Sequence, residues 1–570
     1  MVQITRICSR PSAKKFRIIL AVLNIATLMV TFAPAAFADI DRRTGADRYV
    51  AARIAEFENR SAEALATYKI LFKTEPASAA IAERLYQNAM LEGDMASAIQ
   101  AVRALELQNE TDATAPLLLF AQAFRRNDWQ GAEVAVSELE AKSNFGFIAP
   151  VLHAWVRVAQ RKPHGFSRAT ANKNPLLSYY SEDQLVYFEL ASANVAAAKP
   201  LLNRFRNIDD DFGRNLILRA APILAANGET EFARNSLTNI IEPEFAEGLL
   251  TPGKSYTSRL QPHEGIAALF TRFAEALVQQ NSPEQALTMA RIANWLDDRN
   301  VPAQLALSKS LYAMNRGDAG YVLLNKISPS SPYAPEATEQ KIRRLSNTGS
   351  SRDALHLAQA DMRRHPNSTR AALLLAQARD RQGHTAQAAE GYQSLIMLAE
   401  KANEPPRRRA YYLLYWATMT DRNGNWNQAR QILDSANILD PNNADILNYL
   451  GFTLLERRED ISYALELLKR AHQLAPESAA IADSLGWGYY LNGKYAQSVL
   501  LLEKAVKLVG DNVTINEHLG DAYWQYGKRV DARYAWNTAA NKASEVDKLR
   551  LRKKIEFGQL SIDPAAAQTP

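Results

Sequence analysis

The chain of 570 residues carries 67 Lys and Arg against 61 Asp and Glu, with a single cysteine. A single cysteine can form no disulfide within the chain and cannot supply several thiolate ligands to zinc. An intrachain disulfide and a cysteine-based zinc site are therefore both excluded. Five basic residues fall within residues 1–38, which leaves 62 basic against 61 acidic residues and no broadly basic face for nucleic acid.

The first 38 residues have the pattern of a secretory signal peptide. Basic residues up to Arg17 precede the apolar run 18–30, and a small–x–small triplet ends at Ala38, just before Asp39. We expect export and cleavage after Ala38, which gives a periplasmic protein. The alternative is an uncleaved N-terminal anchor in the inner membrane, because the 21 residues up to Ala38 are just long enough to span it. Cys8 precedes the apolar run, so it is not the lipid-bearing residue of a lipoprotein signal.

Residues 39–240 repeat a two-helix pattern about every 34 residues, which predicts an N-terminal block of helix pairs that is partly degenerate. Equivalent positions in the first helices are Ala52, Tyr86, Phe120, Ala154, Tyr187 and Ala221, and small residues at the second helices are Ala64, Ala98, Ala132 and Ala233. The copies near Ala154 and Tyr187 are the degenerate ones. Pro243, Pro252 and Pro262 then indicate an interrupting loop over residues 241–262.

The register resumes in a central block, residues 263–399, and is broken again at 400–409. The insertion holds two prolines followed by Arg407, Arg408 and Arg409. This basic triplet either binds an acidic partner or forms the solvent-exposed first turn of a helix. The second interpretation is the commoner one for runs of charged residues.

The clearest repeats lie in residues 410–543, the C-terminal block. The pairs Leu450-Gly451, Leu485-Gly486 and Leu519-Gly520 are spaced by one period of the tetratricopeptide repeat, and small residues on both helices allow the backbones to approach closely. A lone helix pair cannot bury its apolar stripe, so each unit must lean on its neighbours. We therefore predict an all-α fold, an α-solenoid of roughly fourteen tetratricopeptide-type helix pairs forming a right-handed superhelix.

The tail, residues 544–570, differs in composition from the repeats. Its first part is highly charged and predicts a helix that caps the exposed end of the solenoid, and residues 563–570 predict a disordered end.

No catalytic signature is present in the sequence. Residues 488–494 match the first seven places of a phosphate-binding loop, but the eighth is Tyr495 instead of Ser or Thr, and no strand precedes it. The eight histidines are scattered, and neither HExxH nor GxSxG occurs. We expect a non-enzyme without metal or cofactor. The remaining alternative is an enzyme of unrecognised type, in the irregular stretch 162–211.

If the chemistry is recognition, the first helices carry it, because in this repeat they line the concave face. The predicted protein-binding residues are Asn448, Phe452, Asp483, Trp487, Tyr490, Glu517, Asp521 and Trp524. Aromatics between carboxylates suit a peptide with apolar anchors and Lys or Arg. For Trp487 and Trp524, a place in the core is as compatible with the pattern as a place in the groove, and His518 is predicted to pack.

The stretches 448–452, 482–487 and 518–521, closing with Trp536, resemble the C-terminal half of bacterial exported tetratricopeptide-repeat proteins. The closer likeness covers residues 410–540. One branch of that group comprises lipoprotein adaptors of the outer membrane, which deliver cell-wall hydrolases to a periplasmic carboxyl-terminal processing protease. The chain departs from that branch in having no lipid-bearing cysteine. It also lacks the carboxylate clamp of cytosolic co-chaperones, since Asp483 and Glu517 stand where positive charge is needed.

The resemblance implies a non-catalytic periplasmic scaffold or adaptor that binds proteins or peptides of the cell envelope, linked to envelope proteolysis or cell-wall maintenance. The alternative function is a scaffold for export of a surface polysaccharide, and nothing in the residues separates the two. We expect no nucleic-acid partner, and contact with a membrane only if the signal segment stays uncleaved.

Overall fold

The computed structural model describes residues 44–559, apart from 111–112, 206–210, 239, 242 and 252–256. The predicted signal peptide and the end of the tail lie outside these described residues. Within them the chain is all α-helix with two short 3₁₀ turns and no strand, which confirms the predicted all-α solenoid fold. No helix in this part of the chain is both long enough and apolar enough to cross a bilayer.

The contacts divide the chain into two compact units, residues 1–341 and 342–570. The division falls within the central block predicted from the sequence, and the predicted block boundaries stay predictions. The helices of the first unit are α1 (Gly45–Phe57), α2 (Ser61–Thr74), α3 (Ala79–Glu92), α4 (Met95–Glu106), α5 (Ala115–Arg125), α6 (Trp129–Lys142), α7 (Ala149–Ala159), α8 (Arg168–Ala171), α9 (Pro175–Ala191), α10 (Val195–Leu202), α11 (Asp211–Ala226), α12 (Thr230–Leu237), α13 (Pro243–Leu250), α14 (Pro262–Gln279), α15 (Pro283–Leu296), α16 (Val301–Ala313) and α17 (Gly317–Asn325).

The second unit begins within α18 and continues the alternation of first and second helices. Its helices are α18 (Ala334–Asn347), α19 (Ser351–Arg364), α20 (Thr369–Arg381), α21 (Thr385–Lys401), α22 (Pro406–Arg422), α23 (Trp426–Leu439), α24 (Ala444–Glu456), α25 (Ile461–Leu474), α26 (Ala479–Leu491), α27 (Tyr495–Val509), α28 (Val513–Gln525), α29 (Arg529–Lys542) and α30 (Glu545–Phe557).

The turns between paired helices require a left-handed backbone residue. Gly93 has φ 80° after α3, whereas Asn59, Asn127 and Asn281 take φ between 56° and 60° at the corresponding turns. Asparagine tolerates this conformation better than other residues with a side chain, because its short amide can bond locally. Degenerate repeats therefore keep the turn without keeping the glycine.

The glycines of the Leu-Gly pairs lie where two helices cross. A Cβ on Gly451 would be 2.9 Å from Leu468 Cγ, and one on Gly486 would be 2.8 Å from Leu502 Cγ. A Cβ on Gly520 would overlap the indole of Trp536, which is completely buried. The repeat keeps glycine here because the second helix of each pair packs directly on its backbone.

The first unit folds back on itself. Helix α14 packs against α7 and α9, and α15 packs against α3 and α5, so later helices cover the first helices of the early pairs. The approach of α14 is close because Gly265 faces the buried ring of Trp155. The side chain of Arg291 donates to the carbonyls of Met90 (2.9 Å) and Leu91, which end α3 and have no partner inside that helix. A simple solenoid has contacts only between neighbouring repeats. This unit also has contacts between repeats that are far apart in the sequence.

Two predicted interruptions are shorter than the sequence indicates. The segment 241–262, predicted as a loop, contains the helix α13, so three prolines did not prevent helix formation between them. In the 400–409 insertion, α21 runs to Lys401 and α22 starts at Pro406, where proline suits the first turn because its missing N–H is not needed there. Arg407 is exposed in that first turn.

Candidate protein-binding surface on the first helices

Three neighbouring helices carry all eight residues predicted to bind a partner. The first helices α24, α26 and α28 contact one another in that order. Each begins at a side-chain cap, since Asn443, Ser478 and Asn512 accept hydrogen bonds from backbone amides in the first turn. These caps fix where each helix starts and so which side chains share a face. We call these eight residues the first-helix surface; they are Asn448, Phe452, Asp483, Trp487, Tyr490, Glu517, Asp521 and Trp524.

Trp487 lies at the centre of this surface and is half-buried. Its ring stacks on Tyr490, with centroids 4.6 Å apart and planes at 11°, and on His518, at 4.1 Å and 16°. The indole Nε1 donates to Glu456 Oε1 at 3.0 Å, so the residue bridges from α24 to α28. The result is a continuous aromatic row across two helices, in which Trp487 and His518 are half-buried and Tyr490 is buried.

The neighbours of Trp487 are held by hydrogen bonds. His518 Nδ1 lies 2.9 Å from Asp483 Oδ1, which orients the imidazole under the indole. Tyr490 is buried, and burial raises the pKa of its hydroxyl to about 12. That hydroxyl accepts a hydrogen bond from Gln559 Nε2 at 2.6 Å. Asp483 and Tyr490 therefore already have partners within the chain.

The carboxylates of α28 face two cations of α30. Lys554 Nζ lies 2.7 Å from Glu517 Oε1 and 2.7 Å from Asp521 Oδ2, and Arg550 also pairs with Glu517. Asp521 additionally accepts from Trp536 Nε1 at 2.9 Å. Burial raises the pKa of Asp521 and lowers the pKa of Lys554, and in each case the charge of the other opposes the shift. The acidic end of the surface is thus neutralised by the chain itself.

Trp524 has a different environment from Trp487. Its ring is tilted against Trp536 at 5.5 Å, the Arg529 guanidinium lies 3.9 Å above it, and Gly558 is so close that a Cβ there would overlap the ring. Trp524 is half-buried like Trp487, and side chains and backbone of its own chain cover part of its ring.

The two residues on α24 are both half-buried. Asn448 Oδ1 is buried and has no hydrogen-bond partner among the described residues, which is uncommon for an amide oxygen. Phe452 lies one turn further along the same helix. Of the eight residues, Glu517, Asp521 and Tyr490 have described hydrogen bonds or ion pairs with residues 545–559, and Asn448, Phe452 and Trp487 have none.

Sequence reasoning missed four residues that complete the surface, namely Glu456, Arg550, Lys554 and Gln559. Glu456 follows Phe452 by four residues, so extending the helical spacing by one turn would have found it. The tail helix was recognised only as a charged cap. Nothing in its sequence shows that Arg550 and Lys554 pair with the carboxylates of α28, whereas Arg552 and Lys553 on the same helix are exposed without a described ion pair.

Two other stretches singled out in the sequence have the following surroundings in the described residues. The loop-like match at 488–494 is helical at Gly488, where a Cβ would meet Leu455 and Leu465. In the stretch 162–211, Asp183 pairs with Arg272 at 3.1 Å beside a small cavity of about 30 Å³. No cluster of three or more His, Cys, Asp or Glu side chains able to hold a metal occurs in the part of the chain that the structure describes.

No protein-family model matches the chain. The TPR repeat-containing protein PA4667 of Pseudomonas aeruginosa is 40% identical over 82 residues, which are 14% of this chain and 14% of that protein. The match thus spans about one seventh of the length of this curated relative.

Solved structures with helical repeats are also similar. The APC/C hetero-tetramer Cut9–Hcn1 matches 92% of this chain and 99% of its own, with TM-score 0.39 and 16% identity. Yeast Tom70 matches 90% and 95%, with TM-score 0.31 and 13% identity. Likeness at this level does not extend to function.

The two-helix period and the Leu-Gly crossings are those of a solenoid of tetratricopeptide-type helix pairs, and 82 residues of the chain are similar to part of a TPR repeat-containing protein. A fold of this kind is generally that of a scaffold for protein–protein interaction.

Proposed function

We propose that the chain is a non-catalytic periplasmic scaffold or adaptor, which binds protein or peptide partners of the cell envelope on the first-helix surface. The observation that carries the binding role is the aromatic row centred on Trp487. A half-buried indole stacked between a tyrosine and a histidine is rigid, so it offers contact area at little entropic cost. The periplasmic location is supported by the signal-like pattern of residues 1–38.

The partner class follows from what remains accessible. The carboxylates of α28 are paired within the chain, whereas the half-buried rings of Phe452 and Trp487 remain for a ligand. An apolar anchor beside Trp487 and Phe452 fits this arrangement. A link to envelope proteolysis or cell-wall maintenance rests on the resemblance of residues 410–540 alone and belongs to the same proposal.

The test is recovery of envelope proteins on the immobilised chain after mild crosslinking. We expect Trp487→Ala to lower recovery by at least tenfold, because truncating a central aromatic anchor costs about 2 kcal/mol or more of binding free energy. Trp426→Ala is the matched control. Trp426 is also half-buried and its Nε1 also donates to a carboxylate, Glu459, but it lies on the second helix α23.

The outcome separates binding from packing when the melting temperature of each variant is measured beside it. Recovery that falls equally for both variants, together with a large loss of stability, would make Trp487 a packing residue and remove the proposed surface. Failure to recover any partner with the unmodified chain would remove the scaffold role itself.

A further inference from the structure

The chain turns back on itself after its last helix. Gly558 follows α30 with φ 81° and ψ −178°, a conformation that is essentially restricted to glycine. It places the backbone against Trp524, and Gln559 then reaches both Gln525 Nε2, at 2.9 Å, and the hydroxyl of Tyr490. Residues 550–559, which we call the C-terminal segment, comprise the end of α30 and the two residues that follow it. They contact both α28 and α26.

The contacts of this segment have the form of a ligand bound to a groove. Glu517 and Asp521 are four residues apart on α28, and Arg550 and Lys554 are four residues apart on α30, so two acidic positions face two basic ones at matching spacing. Gln559 adds an amide that pairs with polar groups on two first helices.

The apolar contacts of this segment lie on one side of α30. Leu551 is completely buried and Ile555 is half-buried against the cluster that contains Trp536 of α29, whereas Phe557 (64% exposed) faces solvent. The polar contacts with α28 and α26 are ion pairs and hydrogen bonds, which a basic peptide can reproduce. A peptide that exchanges with the segment must therefore replace one buried leucine as well as these polar contacts.

We propose that the C-terminal segment is a resident ligand of the first-helix surface, and that a basic peptide binds the end formed by α26 and α28 by exchanging with it. The inference rests on the proposed function, since it names what occupies one end of that surface. Because the resident segment is tethered, it competes at an effective concentration on the order of millimolar. A free peptide of equal contacts therefore binds the intact chain only weakly.

The probe is a fluorescent peptide with the sequence of residues 545–559, added to the full-length chain. Arg550→Glu with Lys554→Glu repels the resident segment from Glu517 and Asp521. Arg552→Glu with Lys553→Glu makes the same change of charge at two exposed positions of the same helix.

We expect the first variant to bind the peptide at least about tenfold more tightly than the unmodified chain, by relief of tethered competition. The second variant should bind like the unmodified chain. Equal affinity in all three would overturn the resident ligand and leave the rest of the first-helix surface as a binding site. Binding to none of them would likewise overturn the resident ligand, whereas the proposed function is tested separately by the recovery of envelope proteins.

A point variant tests the same contact without changing charge. Gly558→Ala cannot keep its backbone conformation or its place against Trp524, whereas Gly527→Ala is strained by a φ of 89° but has no atom within 4 Å of the added Cβ. We expect Gly558→Ala to increase acrylamide quenching of tryptophan fluorescence, and the increase to vanish when Trp524 is also replaced by Phe. Unchanged quenching in Gly558→Ala, with circular dichroism showing a folded chain, would overturn the proposal.

Discussion

Gly520 on α28 shows how a single residue sets the distance between two helices. The ring of Trp536 occupies the space that a side chain on Gly520 would need, and Trp536 is fixed by its hydrogen bond to Asp521. We expect Gly520→Ala to lower the free energy of unfolding by about 1–3 kcal/mol, the usual cost of overpacking. Urea unfolding followed by circular dichroism measures this.

The matched control is the same substitution where space is free. Gly248 lies inside α13, is exposed, and has nothing within 4 Å of an added Cβ. There the better helix propensity of alanine should be neutral or stabilise by up to about 1 kcal/mol. Equal effects at both positions would mean that Trp536 moves aside freely.

Helices and turns were predictable where the signal is local. The Leu-Gly pairs in the sequence predicted where two helices cross, at Gly451 and Gly486, because the close packing there leaves no room for a side chain. Turns built on Asn59 and Asn127 were harder to find, since asparagine occurs in many other settings. The helix α13 was missed because three prolines around it resemble a loop, although proline at a first helical position is favourable.

The candidate surface was predictable only in part. Helical spacing placed Trp487 and Tyr490 on one helix, and they do stack. The cation that pairs with Glu517 and Asp521 lies on a helix about 30 residues later. No local sequence pattern indicates which side chains of two such distant helices contact each other. The same holds for α14 and α15, which cover much earlier helices.

The end of α3 depends on such a distant partner. Arg291 bonds the carbonyls of Met90 and Leu91, so Arg291→Ala should leave them without their donor and cost about 1–3 kcal/mol. Hydrogen exchange in the last turn of α3 should rise. Arg299→Ala is the control, because Arg299 is 65% exposed and its ion pair with Glu264 should contribute little. Equal exchange in both variants would mean that Arg291 does not hold α3.

At the scale of the whole molecule, the proposed location depends on processing at the N-terminus. We expect the chain recovered from a bacterial periplasmic fraction to begin at Asp39, as read by intact mass. Replacing Ala38 with Trp should block cleavage and keep the full mass in the membrane fraction. Full-length protein in the membrane without any substitution would support the anchored alternative instead.

The closure of the first unit has a consequence for the order in which it can fold. Arg291 bonds a carbonyl 201 residues earlier in the chain, and Arg316 bonds the carbonyl of Asn59, 257 residues earlier. The chain emerges N-terminus first during both synthesis and export, so α3 waits until its partner 201 residues later has also emerged. During that interval the early helix pairs have only each other, with the faces that α14 and α15 will cover still open to water. This unit therefore has a delay in folding that a simple solenoid, completed repeat by repeat, does not have.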